Sequence, residues 1–381
     1  MATLPSAFTF TDQHRVAIAN LAQAYDAWLE SARQAAALDF SFQVKEQRHT
    51  GKDAQAKTYR YLYRITDRRG NGRSLGPLDE TLEALQGRHA QRKQQALAQE
   101  QGRYTHALQA AAVYRAMRLG LLSSEAANIL RVMDVYGLLG NSFMVVGTNA
   151  MAVYELEANL RFAAGVESTE DFDLTWSSGT VSLIAGTQPP PWDTARILDL
   201  AQDDPLIAQA NPPATTLREV LRRIDDTYTK NTERPFQLRN AKGYEVEVLL
   251  AQRLRAEFPA AESLSPIPLE EQDWLLLGQP VSHTVAGRDG SPARVVAPDP
   301  RYFGLQKIWL SKKPQRLVTK KPKDLKQGML VLNAVQDHMP HLPMDAAFVA
   351  QLPAPLAPIF HEWRAQYDAL AQDTQAARPR W

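Results

Sequence analysis

The sequence predicts an α+β chain. A mixed-sheet core covers residues 138–299, an N-terminal helical region with a β-hairpin (1–137) precedes it, and a C-terminal helical domain (300–381) follows. Three observations predict this. An apolar strand, FMVV at 143–146, ends at Gly147-Thr148 and runs into the helix-forming residues 149–160. Two further strand patterns follow, DFDLTW from Asp171 and YEVEVLL at 244–250. Helical periodicity dominates both ends of the chain.

Taken in order, residues 11–38 carry Val16, Ile18, Leu21, Ala24, Tyr25, Trp28 and Leu29 as the apolar stripe of a helix. Residues 58–66 (TYRYLYRIT) alternate aromatic or aliphatic with polar side chains, the period of a strand, and Gly70-Asn71-Gly72 supplies a turn before Ser74-Leu75-Gly76-Pro77. Tyr59, Arg60, Tyr61 and Arg64 suit either base stacking or packing against a helix. Residues 79–119, rich in Gln, Ala, Arg and Glu, read as one or two long helices in which Gly87 and Gly102 are weak points. Its basic residues, among them Arg88, Arg92, Lys93 and Arg103, fit a solvated face or an RNA contact. A helix starting at Ser123 or Ser124 and ending near Tyr136 has serine where an N-cap is needed.

Beyond the DFDLTW strand, two proline-rich loops, GTQPPPW (186–192) and NPPATT (211–216), frame a helix at 194–208, and another helix occupies 217–224. SLSPIP at 263–268 breaks the chain again before a β-rich stretch, 274–296, with an Asp289-Gly290 turn. The strands of 141–296 read as one mixed sheet with covering helices. Pro300 then opens a helix, PRYFGLQKIWL, after which Lys312, Lys313, Arg316, Lys320, Lys321, Lys323 and Lys326 are opposed only by Asp324. That basic run serves either a solvated surface or an RNA strand.

Composition narrows the classes. An apolar content of 44% in 381 residues supports two or three domains with a substantial core. There is no cysteine, so disulfides, thiolate chemistry and cysteine-type zinc sites are excluded, and the 8 histidines lack metal spacing. No apolar run reaches the roughly 18 residues of a membrane span, and MATLPSAFTFTDQHR lacks a basic start followed by an apolar stretch. The expectation is a cytoplasmic protein with no membrane partner. A net charge of +1 places any nucleic-acid contact in local patches rather than in the overall field.

The chemistry is written in the middle of the chain. Residues i and i+2 of a strand share a face, so Asp171 and Asp173 point together while Phe172 and Leu174 turn to the core. Paired carboxylates repel, and a hard divalent cation relieves the repulsion. Magnesium prefers oxygen ligands, often one or two carboxylates plus substrate phosphates. Upstream, Gly147 allows a phosphate to approach the backbone, the start of the following helix favours an anion, and Thr148 adds a hydroxyl donor. In 244–250, alternation puts Glu245 and Glu247 on one face and Val246 and Val248 on the other. Nucleotide handling is the implied business of these residues.

With those motifs in view, the chain resembles the nucleotidyltransferase-fold proteins of bacteria, a minimal branch of the DNA polymerase beta superfamily. Gly147-Thr148 and Asp171-Phe172-Asp173 match that superfamily's phosphate turn and acidic strand. Ala150, Val153, Tyr154, Glu155, Glu157 and Ala158 resemble the branch in which a GT-x-A-x-x-VYE-type helix precedes the aspartates, and the Tyr-rich strand followed by Ser-Leu-Gly resembles its N-terminal part. The resemblance implies two Mg²⁺ ions, with Mn²⁺ as a substitute, held by Asp171, Asp173 and a third carboxylate. Glu247, within Val-acid-Val-Leu-Leu, is the better match, with Glu245 as the other candidate; glutamate stands where aspartate is usual. Lys307 and the Lys323-Asp324 pair match recurring basic positions, and Lys307 is implied to contact the triphosphate.

The expected activity moves a nucleoside monophosphate from an NTP to a hydroxyl, on RNA or tRNA among the acceptors. The competing expectation is a nucleotide- or RNA-binding interaction module that keeps the fold without catalysis. Base preference and oligomeric state are open at this stage.

Overall fold

The computed structural model describes residues 8–50, 56–65, 70–162, 171–177 and 216–376. The helix expected at 194–208 and most of the proline-rich loops around it lie outside these residues. Elements are numbered along the described chain, which is α+β. Its residues divide into two compact units, one from Asp26 to His106 and the other comprising residues up to Tyr25 and from Ala107 onward.

In the Asp26–His106 unit, β2 (Ser41–Thr50), β3 (Ala56–Ile65) and β4 (Gly72–Pro77) form an antiparallel sheet in the order β2-β3-β4. The Tyr-rich strand is β3, and its partner β2 is an element not expected from the sequence. Leu38, Phe40, Phe42, Leu62 and Leu85 make the core, with the His89 ring tilted against the Phe40 ring at 4.2 Å. Helix α1 (Asp12–Ala37) and the single unbroken helix α2 (Glu80–Ala116) carry the chain into and out of this unit. Gly87 and Gly102 do not break α2, since it has good helix formers around both. The α1 stripe follows Ala17, Leu21, Ala24, Tyr25 and Trp28, which leaves Val16 exposed rather than in the stripe.

The larger unit is built on a sheet ordered β6-β8-β11-β10-β9, with β12 also pairing β11. Its strands are β6 (Phe143–Val145), β8 (Asp171–Trp176), β9 (Thr229–Lys230), β10 (Gln237–Arg239), β11 (Glu245–Ala251) and β12 (Pro268–Leu269). β8 runs parallel to β11 and antiparallel to β6. Phe172, Leu174, Val246 and Val248 are fully buried on one face, each worth about 1.5–3 kcal/mol of transfer free energy. A one-residue slip would exchange them for carboxylates, so the register is strongly specified.

The expectation of one sheet across 141–296 is corrected. β13 (Val281–Gly287) and β14 (Pro292–Ala297) form a hairpin around Asp289-Gly290 and pair instead with β5 (Leu121–Leu122). Residues 274–276, expected as strand, are a 3₁₀ turn following the short helix α6 (Glu270–Asp273). Helix α3 (Ser124–Val135) starts with Ser123 accepting the Ala126 N–H, the N-cap anticipated. Helix α5 (Leu217–Ile224) carries a capping box between Thr216 and Glu219. Helices α7 (Pro300–Lys312), α8 (Lys321–His338), α9 (Ala346–Ala350) and α10 (Ala357–Ala376) complete the unit. Their core includes Leu305, Leu332, Leu356 and Trp363, whose indole N–H donates to Asn333. Among the described residues no helix is long and apolar enough to cross a membrane.

Candidate active site

The turn after β6 sets the geometry. The β6–β8 ladder continues one residue beyond β6, where the Val146 N–H donates to the Asp173 carbonyl at 3.0 Å. Gly147 follows with φ +69°, the left-handed region that favours glycine. A Cβ built there would lie 2.3 Å from Asp173 Oδ2, so the carboxylate sits directly against the turn. The helix expected over 149–160 is shorter than anticipated. Gly147–Ala150 form a 3₁₀ turn, α4 spans Met151–Glu157, and Asn159 turns left-handed to begin β7 (Leu160–Arg161). With only two turns of α-helix, the contribution of a helix dipole is small and the turn's own amides matter more.

Parallel pairing of β8 with β11 puts Asp173 opposite Glu247 and Asp171 opposite Glu245. Neighbouring strands lie about 4.8 Å apart and paired residues share a face. Asp173, Glu245 and Glu247 are half-buried, opposite the apolar face already described. The side chain of Asp171 lies outside the described set; its backbone is in the ladder. Among the described side chains no three His, Asp or Glu gather as a metal site.

Gln237, fully buried on β10 and directly across from Glu247, orders the glutamates. Its Nε2 donates to Glu247 Oε1 and, at 3.4 Å, to Glu245 Oε2, while its own carbonyl accepts from Asn231 at 3.0 Å. Glu245 also meets Arg239 at 3.6 Å. The hairpin from Gln237 to Glu247 closes on Gly243, φ +85°, which matches the turn read at 240–243. Gln237 was missed in the sequence because an isolated glutamine carries no pattern; its place opposite Glu247 follows only once the hairpin register is known.

Helix α8 brings a second set to the turn. Lys307 of α7 is buried and its Nζ donates to Asp324 at 2.9 Å, while Arg316 Nε reaches the other oxygen at 2.7 Å. Burial opposes ionisation of Asp324, but Lys307 and Arg316 outweigh it and hold its carboxyl below the usual range. Lys323 has its pKa lowered by burial first and by the charge of Lys307 second, and it lies within the electrostatic reach of Asp173. Gln327, one turn further along, donates from Nε2 to Thr148 Oγ1 at 3.2 Å. The spacing Lys323-Asp324-x-x-Gln327 is one helical face, a signal the sequence contained but which was read only as far as the Lys-Asp pair.

The remaining residues of the α4 resemblance are scaffold. Ala150, Val153, Tyr154 and Ala158 are core, and the Tyr154 hydroxyl donates to the Pro298 carbonyl at 3.0 Å. Glu155 accepts from the Phe162 N–H at 2.9 Å and from Arg161 at 3.1 Å, and burial pushes its carboxyl up to about 7 against both partners. Glu157 accepts from His283 at 2.5 Å and His341 at 2.7 Å; the His283 bond chiefly holds its carboxyl low.

A glycine turn against a carboxylate, with acidic residues on paired strands, is the kind of site that handles nucleotide phosphates. A family model described as nucleotidyltransferase matches residues 124–200 and 194–352, which together span more than half of the chain and every residue named in this site. The chain belongs to that nucleotidyltransferase family. No curated protein and no solved structure matches it.

Proposed function

We propose that the chain is a metal-dependent nucleotidyltransferase of the bacterial, minimal branch of the DNA polymerase beta superfamily, acting in the cytoplasm on an NTP and a hydroxyl acceptor. The observation that carries the reading is the register pairing Asp171 and Asp173 with Glu245 and Glu247 beside Gly147. The donor set fits magnesium, since hard cations take oxygen ligands and this face supplies carboxylates from two strands. Asp171, Asp173 and Glu247 would hold two Mg²⁺ ions, which would polarise the phosphoryl group and lower the pKa of the attacking hydroxyl.

The chain's own residues do the rest. Gly147 lets a phosphate reach the backbone amides of the turn, and Thr148 offers a hydroxyl beside them. Gln237 fixes the Glu247 carboxylate so that it faces the site in one orientation. Lys323 supplies positive charge from a partly desolvated position, where it acts on phosphate oxygens more strongly than in water. Lys307, through its bond to Asp324, keeps the Lys323 turn of α8 in place, and triphosphate contact is proposed for both lysines.

An RNA or tRNA acceptor is supported by the lysines around α8. The test is to incubate the protein with Mg²⁺, each labelled NTP and total cellular RNA, alongside an Asp173→Asn variant. Label transfer that disappears in the variant supports the enzyme. NTP or RNA binding without transfer under any combination would replace it with the non-catalytic module.

A further inference from the structure

Gln327 is fully buried on α8, and its amide joins the C-terminal helical layer to the phosphate turn. Two contacts hold it there. Gly328 and Gly304 face each other where α7 crosses α8: a Cβ on Gly328 would lie 2.6 Å from the Gly304 carbonyl oxygen. One turn earlier, Lys307 and Asp324 tie the same two helices at 2.9 Å. The backbones meet closely because neither glycine has a side chain, and Gln327 is therefore presented to Thr148 from a rigid support.

The direction of the bond matters. A threonine hydroxyl has one proton and two lone pairs. Gln327 Nε2 donates to Thr148 Oγ1, so it occupies a lone pair and leaves the Thr148 proton to be given elsewhere. The Gln327 carbonyl, Oε1, is buried without a hydrogen-bond partner. Buried oxygens without partners are rare and call for an explanation. An amide turned the other way would place that oxygen on Thr148, where it would take the hydroxyl proton for itself.

We propose that Gln327 is a positioning residue that fixes the Thr148 hydroxyl as a donor toward the bound triphosphate. This rests on the reading of Gly147-Thr148 as the phosphate turn. It extends that reading by assigning specificity for an oxygen-rich anion to a residue 179 positions away in sequence. Gln327 touches neither the substrate nor the carboxylates; it works through Thr148.

The test is a double-mutant cycle on NTP affinity, measured by calorimetry with Mg²⁺ and whichever of the four NTPs the wild type binds most tightly. Gln327→Met keeps the volume and removes the amide; Thr148→Val keeps the shape and removes the hydroxyl. Each is expected to raise Kd by about three- to tenfold, the loss of one ordinary hydrogen bond. The double variant is expected to be no weaker than Thr148→Val alone, because interacting residues are non-additive. Multiplying effects, or a wild-type Kd in Gln327→Met, would overturn the positioning role while leaving the turn's function standing. A wild-type Kd in Thr148→Val, or no NTP binding by the wild type, would instead overturn the reading of the turn. Should Gln327→Met fail to fold, the neutral Gln327→Leu serves in the same cycle, with Kd expected to rise about three- to tenfold only while Thr148 is present.

Discussion

Replacing Gly147 by alanine separates backbone strain from displacement of the adjacent carboxylate. At φ +69° an alanine is strained by about 1–2 kcal/mol. Its Cβ would also stand 2.3 Å from Asp173 Oδ2, whereas ordinary contact begins near 3.4 Å, so the carboxylate must retreat by about 1 Å. A misplacement of that size in a catalytic group costs about 100-fold in rate. Gly70 is the matched control: its φ of +77° is nearly the same, and nothing lies within 4 Å of a Cβ built there. Both variants are expected to lose a comparable 1–2 kcal/mol in urea denaturation. Only Gly147→Ala should lose about two orders of magnitude in single-turnover transfer from labelled NTP. Transfer by Gly147→Ala within threefold of Gly70→Ala would refute the argument that Asp173 acts from its place against the turn.

Three further outcomes are expected. Gln237→Met should weaken Mn²⁺ binding by about 10–100-fold in calorimetry, the usual effect of removing a group that orients a ligand; unchanged affinity would free Glu247 from any dependence on the amide. Lys307→Met should cost about 3 kcal/mol in denaturant unfolding, the low end for breaking a buried ion pair, because Arg316 still holds Asp324. A variant that melts normally yet loses NTP affinity would leave Lys307 its triphosphate contact alone and remove its role as a support. Glu155 is raised from 4.5 to about 7 in the folded chain, so between these values the folded state holds the extra proton and stability falls as pH rises. The slope from this one group approaches about 1.4 kcal/mol per pH unit within that window. Buried Glu262, also raised to about 7, adds a like slope, so Glu155→Gln should remove one group's share of the pH 5–7 dependence and leave that of Glu262; an unaltered profile would refute the Glu155 assignment.

The local parts of this site could be read from residues alone because they depend on short-range rules. Alternation in YEVEVLL and in DFDLTW separated the carboxylates from Phe172, Val246 and Val248, and the burial of those apolar residues follows that division. Ser123 as an N-cap and the turn at 240–243 were equally local. What escaped was long-range pairing. Nothing in residues 281–297 announces that this hairpin pairs with Leu121-Leu122 rather than with the acidic strand. α4 stops at Glu157, just before Asn159 turns left-handed, which no local motif marks, and β2 was hidden because SFQVKEQRHT has few β-branched residues. Gln237 and Gln327 have no motif of their own and gain meaning only from the partner that the fold brings to each.

The bond between Thr148 and Gln327 also has a consequence in time. A ribosome adding roughly 5–20 residues per second needs about 10–35 seconds to travel from one to the other. During that interval the emerging polypeptide already carries its aspartates and its glycine bend but has not yet made the helix whose amide meets Thr148. The Thr148 hydroxyl therefore gains its Gln327 partner late in synthesis, after α8 has left the exit tunnel and docked.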